Sequence, residues 1–254
     1  MAEHLYKYRT LDGPGRLYAE RLLVHNKVYL SSPRSFNDPS DSKARIVEGG
    51  TDDQHRSNLL KLYSRKRPEM TEDARRERVE EIIRSGRHRD PTIYEETTKK
   101  TQAAIDTVGV FCLAETPASL LMWAHYASSH SGFCIQLLHH DEPFLGRAQK
   151  VEYSVTYPCI VYPVDSDDAK VDKWLLTKAD CWKYEAEWRV IERAGPGIYE
   201  LPPDLLTGII FGSRMSEADR AQLREWALQR KPRPQLYDAR PRPQEFAIDI
   251  VAIA

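Results

Sequence analysis

The segment from Leu120 to Leu137, LLMWAHYASSHSGFCIQL, restricts the fold more than any other stretch of the chain. Leu120 to Ala127 reads as a short helix with Leu120, Trp123, Ala124 and Ala127 on one face and Met122, His125 and Tyr126 flanking it. Ser128 to Gly132 is a turn of small residues feeding a strand, in which Phe133, Ile135 and Leu137 alternate with Cys134 and Gln136. Helix must therefore give way to strand across one turn, and the small side chains leave room beside Trp123, Tyr126 and Phe133. Such a junction either fills a core or walls a ligand site.

Strands that can pair with this one lie on both sides of it in sequence. His4 to Thr10 alternates as a first strand, Leu17 to Val24 reads as a short helix, and Lys27 to Ser31 is a second strand. Thr107 to Ala114 is nearly apolar on both faces, as a central strand is. Val151 to Tyr157, Ile160 to Pro163, Ile198 to Leu201, Leu206 to Phe211 and Phe246 to Ile253 add extended segments. Ser216 to Arg230 is a helix capped by Ser216, and Lys231 to Pro243 is a Pro- and Arg-rich connector. Short strands, irregular connections and peripheral helices predict a single α+β domain over residues 1–254, built on a mixed, twisted β-sheet.

Residues 42–106 depart from this pattern. Between Lys61 and Lys100 stand twelve Lys or Arg and nine Asp or Glu, with few large apolar side chains. Thr71 to Ser85 is the clearest helix there, capped by Thr71 and offering a narrow stripe of Val79, Ile82 and Ile83, and Pro91 opens another short helix. The stretch reads as a helical insertion in the domain. Its basic run Arg84, Arg87, His88 and Arg89 is either a solvated face or a phosphate contact.

Charge and cysteine content narrow the classes of partner. Lys and Arg number 37 against 38 Asp and Glu, so no global field draws the chain to nucleic acid or an anionic membrane. The start, MAEHLYKYRT, lacks the apolar run of a signal peptide, and no segment is long and apolar enough to span a bilayer; a cytoplasmic location without membrane partners is expected. Cys112, Cys134, Cys159 and Cys181 form no CxxC pair and read as reduced core thiols.

Two further stretches carry chemistry-bearing residues. Ser31 to Asp41, SSPRSFNDPSD, has prolines and Asx residues able to hold one fixed loop shape, with Asn37 and Asp38 as hydrogen-bonding rim groups. Cys181 to Ile191, CWKYEAEWRVI, reads as a strand with Trp182, Tyr184, Ala186, Trp188 and Val190 on one face. Lys183, Glu185, Glu187, Arg189 and Ile191 line the other, putting the two carboxylates about 7 Å apart. That charged face is either solvated or the floor of a site. His125 and His130 are five apart across a helix end with no obvious third ligand, so no metal is expected. The fingerprints of dinucleotide-binding turns, P-loops, HExxH metalloproteases and GxSxG elbows are absent from the sequence.

FNDPSD, MWAHYASSHSGF and YEAEWRVI, with YKYR near the start and the late GIIFG, resemble a widespread bacterial domain family without assigned function, DUF2971. A more distant resemblance is to ADP-ribosyltransferases of the toxin, defence and DNA-modifying kinds, through LYKYRTLDGPGRLYAERLLVHNKVYLSS: a strand bearing His or Arg, a short helix, then a strand bearing Ser or Tyr. That resemblance implies an ADP-ribosyltransferase-like core, NAD as cofactor, and nucleic acid or protein as the modified substrate. Carried over, Arg9 takes the first position, Ser31 or Ser32 the second, and Glu187, with Glu185 as its alternate, the late glutamate. Tyr126 supplies the aromatic that stacks on nicotinamide. The ExE word of that family is here EAEWR, and no clean Ser-Thr-Ser word follows the second strand.

Together these readings predict a pocket bounded by Ser31 to Asp41, Trp123 to His130 and Glu185 to Arg189, with His125, His130 and Arg189 on its rim beside Asn37 and Asp38. Two other classes stay open. One is a non-enzymatic defence or regulatory module that docks a partner through the insertion. The other is a metal-dependent nuclease using Asp38, Glu185, Glu187 and Lys183.

Overall fold

Strand β1 (His4–Arg9) lies in the interior of the main sheet, and the chain returns to it from both sides. In the computed structural model, which describes residues 3–253, helix α1 (Gly15–Leu23) and strand β2 (Lys27–Leu30) come next. A helix-rich stretch follows, with β3 (Arg45–Glu48), α2 (Asp52–Lys66), α3 (Glu72–Arg84) and α4 (Pro91–Ile105). Then come β4 (Gly109–Ala114), α5 (Leu120–Tyr126) and β5 (Phe133–Leu138). Short elements fill the next part: β6 (Gln149–Lys150), β7 (Glu152–Ser154), β8 (Cys159–Tyr162), α6 (Asp167–Leu175) and β9 (Thr177–Ala179). The chain closes with β10 (Glu187–Glu192), β11 (Gly197–Glu200), β12 (Leu206–Phe211), α7 (Glu217–Leu228), β13 (Gln235–Pro241) and β14 (Ile248–Ile253).

The chain divides into two compact units. The first takes the chain up to Asn37, Thr107–Tyr153, and everything from Lys178 on. It carries an eight-stranded sheet in the order β14-β13-β12-β5-β1-β4-β10-β6. Only β12 and β13 run parallel within it, so the sheet is mixed and the class is α+β. Leu22 and Leu23 of α1 and Leu223 and Trp226 of α7 bury one face, packing with Leu5, Phe111 and Ile135. Met122 and Trp123 of α5 cover the other, with Tyr8, Cys134 and Ile210. Trp123 is fully buried, edge-on to Tyr8 at 5.2 Å, and its Nε1 donates to the Pro117 carbonyl at 2.7 Å. Truncating such a ring costs about 3–5 kcal/mol, so α5 is anchored by this one side chain.

Behind α5 the backbone is left-handed at Ser128, Ser129 and His130, with φ of 46°, 52° and 74°. Each such residue costs about 1–2 kcal/mol, and bonds from the His130 and Gly132 amides to the Trp123 and Ala127 carbonyls hold the reversal. At Gly132 an added Cβ would stand 2.2 Å from the Arg9 carbonyl oxygen. The small residues of this turn are thus required by backbone geometry and by the approach of β1.

The second unit comprises Asp38–Asp106 and Ser154–Thr177. The helical stretch expected at about 42–106 lies within it, joined by 154–177 because β8 pairs with β3 in parallel. Thr51 caps α2 in a reciprocal box with Gln54, Thr71 caps α3 with Val79 buried, and Asp90 caps α4, which runs fifteen residues from Pro91. No helix among the described residues is long and apolar enough to cross a membrane.

Several expectations require correction. The Lys231–Pro243 connector contains β13, a regular strand: Pro232 and Pro234 precede its pairing with β12, which runs from Gln235 to Asp238, and Pro241 lies beyond it, opposite Ile248 of β14. The extended segment expected from Val151 to Tyr157 shrinks to β7, and Phe246 is fully exposed ahead of β14. All four thiols are free, but Cys159 and Cys181 are exposed and Cys134 alone is fully buried.

Candidate functional site

Glu185 and Glu187 do not share a strand face. The segment expected as one strand from Cys181 to Ile191 is a 3-10 turn over Asp180–Glu185, a left-handed Ala186 at φ 42°, and β10 beginning at Glu187. The reversal at Ala186 breaks the alternation and turns the charges inward: Glu185 is 3% exposed, Glu187 4% and Arg189 0%. Charges buried to this degree persist only when they are paired and hydrogen-bonded.

The partner that brings them together is Lys178 on β9, itself 6% exposed. Its Nζ donates to Glu185 Oε2 and, at 3.0 Å, to Glu187 Oε2. Arg189 grips Glu187 with two bonds, Nε to Oε1 at 2.8 Å and a terminal nitrogen to Oε2 at 2.9 Å. The remaining Glu185 oxygen, Oε1, accepts from the Tyr126 hydroxyl at 2.6 Å, and that hydroxyl accepts from Asn37 Nδ2 at 3.2 Å. A continuous polar chain therefore runs from exposed Asn37 through half-buried Tyr126 to Glu185, Lys178, Glu187 and Arg189. Flat rings flank it: Phe36 lies 5.3 Å from the Arg189 guanidinium, and Trp182 lies 5.2 Å from Lys178 Nζ. The Tyr153 hydroxyl accepts from the Glu187 amide at 2.8 Å and fixes the start of β10.

The electrostatics separate the roles of the groups. Burial alone pushes the Glu187 carboxyl up, but Arg189 and then Lys178 more than reverse this and hold it at about 2. Glu187 is thus an anion at any pH in which the protein works. Burial, and then its bond to Glu185, raises the Tyr126 phenol well above the ordinary value, so it stays a proton donor. Burial, and then Glu187, likewise raise the Cys112 thiol, which stays protonated. A permanent anion, a second carboxylate bridged to a lysine, and a neutral phenol leading outward can oppose developing positive charge and relay a proton.

Among the other expected site residues, His125 stands beside the cluster, its ring edge-on to that of Tyr126 at 6.4 Å. Alternation along β1 sends Leu5, Lys7 and Arg9 to the face covered by α1, whereas Glu187, paired opposite Ala114, belongs to the face covered by α5. Arg9 lines a small hollow with Tyr18, Arg21, Lys27 and Tyr29, so the sheet separates it from both carboxylates. Ser31 exchanges two backbone bonds with Val110, and the Ser32 hydroxyl caps the turn at Pro33–Ser35. His125 is exposed and its Nδ1 meets the Tyr184 hydroxyl at 3.0 Å. His130 stacks on Trp123, and burial lowers its pKa. Asp38 belongs to the second unit, where its Oδ1 accepts from the Ser40 amide and hydroxyl. Lys183 is exposed, so the lysine of the cluster is Lys178. Among the described residues no group of three or more His, Cys, Asp or Glu is arranged to hold a metal ion.

Lys178 and Tyr153 are the members of the cluster that sequence reasoning missed. Each is a single polar residue in a short strand whose neighbours carry no motif, so no local signal marked them. No family model, curated protein or solved structure matches the chain.

Proposed function

We propose that the cluster is the reaction centre of an NAD-dependent ADP-ribosyltransferase in which Glu185 meets the reacting ribose and Glu187 backs it. The observation that carries this reading is the chain from Glu187 through Lys178 to Glu185 and Tyr126. It holds the Glu185 carboxyl group at the outer end of a buried ion network, in a dry setting where local charges act most strongly. The break at Ala186 is what exchanges the roles of the two glutamates: Glu187 is consumed by Arg189, whereas Glu185 is linked by Tyr126 to the exterior.

In the proposed reaction the bond between ribose C1′ and the nicotinamide nitrogen breaks, and its electron pair leaves on the now neutral nicotinamide. The ribose becomes oxocarbenium-like, and the carboxylates oppose its positive charge. An acceptor hydroxyl or amine on nucleic acid or protein forms the new C1′ bond and gives its proton to Glu185. Tyr126 presents a flat face to the nicotinamide, and Asn37 orients its hydroxyl. Arg9 takes no part in this scheme, because its side chain leaves the opposite face of the sheet.

The test is incubation with labelled NAD and separate protein, DNA and RNA pools, read by nicotinamide release and label transfer. Release with transfer to one pool supports the reading. Absence of NAD binding to the folded protein overturns it. The saturation of Glu187 also favours a second reading, in which the cluster only clamps β9 to β10 in a non-enzymatic partner-binding module. That reading predicts no nicotinamide release from any pool.

A further inference from the structure

The second unit has a half-open pocket of about 610 Å³ among α2, α3, α4, the 3-10 turn Arg87–Arg89 and the β3–β8 pair. That volume lies in the range of pockets that take drug-sized ligands. Leu59, Leu62, Ile82, Ile93 and Ile46 give it apolar walls. Five rings also line it, and four have their polar ends tied into the surrounding protein. The Tyr162 hydroxyl donates to Asn58 Oδ1 at 2.5 Å, and the Tyr94 hydroxyl donates to the His88 carbonyl. His88 Nε2 meets Asp52 at 3.1 Å, and His55 Nε2 meets the Gly49 carbonyl at 2.8 Å. The fifth ring, Tyr63, is hydrogen-bonded to Arg78 of the same lining. These rings offer flat apolar surface rather than spare hydrogen-bonding groups.

The charged residues of the lining are all cationic. They are Lys66, Arg67, Arg78 and Arg87, with no Asp or Glu among them. Glu81 takes up Arg78 at 2.5 Å, and Glu69 stands 3.7 Å from Arg67. Lys66 and Arg87 are exposed and make no ion pair among the described residues. The end of α2 favours a cation at Lys66 through its dipole. The dipole does not account for a second cation at Arg87 or for a lining without acids.

We propose that this cavity binds one small anionic amphiphile, a flat aromatic body seated among the rings with its carboxylate, sulfonate or phosphate at Lys66 and Arg87. The site is independent of the glutamate cluster, since every residue lining it belongs to the second unit. The full-length chain is titrated with the anionic probe 1-anilinonaphthalene-8-sulfonate and, separately, with neutral N-phenyl-1-naphthylamine. The parent is compared with a Lys66→Gln, Arg87→Gln double variant and with Leu62→Trp, which fills the cavity, each first shown to unfold cooperatively.

The expected result is one saturable site per chain for the anionic probe. The double variant weakens it about tenfold or more, as loss of charge-assisted bonds does, while the neutral probe changes less than about twofold. Leu62→Trp removes both. No saturable site, or equal affinity of parent and double variant for the anionic probe, overturns the proposal. The two exposed substitutions keep that decision available even where Leu62→Trp does not fold.

Discussion

Arg189 holds Glu187 by two bonds, 2.8 and 2.9 Å long, although the two residues stand on one strand face only two positions apart. Both side chains point inward because β10 pairs with β4, Glu187 opposite Ala114 and Arg189 opposite Cys112. The pair is therefore assembled by sheet register, and Lys178 and Glu185 are added to an anion already in place. Removing any member strands charge in the interior, which gives the cluster measurable consequences.

The first concerns acid. The folded pKa of Glu187, about 2, lies below the ordinary value of 4.5, so the folded state binds its proton less readily than the unfolded state. Its contribution to stability is present above about pH 4.5 and is lost as pH falls towards 2. Urea unfolding should show the parent losing roughly 3 kcal/mol more than Glu187→Gln between pH 5 and 2. Parallel curves for the two proteins would contradict the assignment.

Lys178→Met leaves two carboxylates facing each other without their shared cation. The expected loss is about 3–5 kcal/mol, and adding Glu185→Gln should recover at least about 1 kcal/mol, because the residues interact directly. A double-mutant cycle by chemical denaturation measures this, and strict additivity would show that the lysine does not couple to Glu185.

Ala186 is left-handed at the point where the 3-10 turn meets β10. Ala186→Gly relieves a strain of about 1–2 kcal/mol but loosens the unfolded chain by about 0.4–1 kcal/mol, for a net gain between about 0 and 1.5 kcal/mol. Ala186→Val, branched at Cβ, should destabilise by about 2 kcal/mol or more. Thermal melts giving the opposite order would mean that the reversal is absent in solution.

The elements legible in the sequence are those that local chemistry specifies. β4 and β12 are nearly continuous apolar runs, β5 alternates, and α7 announces itself by Ser216 with Glu217 and Asp219 behind it. The parallel pairing of β3 with β8 joins distant segments and leaves no periodic trace in either. The turn at 180–185 was hidden because Lys183, Glu185, Glu187 and Arg189 imitate strand alternation, and one alanine reverses the chain without a glycine to mark it. Tyr126, Asn37, Glu185, Glu187 and Arg189 are part of a larger expected group that also held Arg9, Ser31, Ser32, Asp38, His125 and His130, and these five are joined by hydrogen bonds through Lys178. The role of Lys178 arises only when the fold brings β9 within reach of Glu185 and Glu187, which no local pattern marks. Arg9 was misplaced because a linear motif carries no information about which face of β1 its side chain leaves.

The most direct measurement compares nicotinamide release from NAD by the parent, Glu185→Gln and Tyr126→Phe under conditions where all three are folded. Glu185→Gln should lower turnover by about 100-fold or more, with NAD affinity changed far less, and Tyr126→Phe should give a smaller loss of about tenfold. Turnover by Glu185→Gln equal to that of the parent, or no turnover by the parent with any acceptor pool, would contradict the proposed reaction.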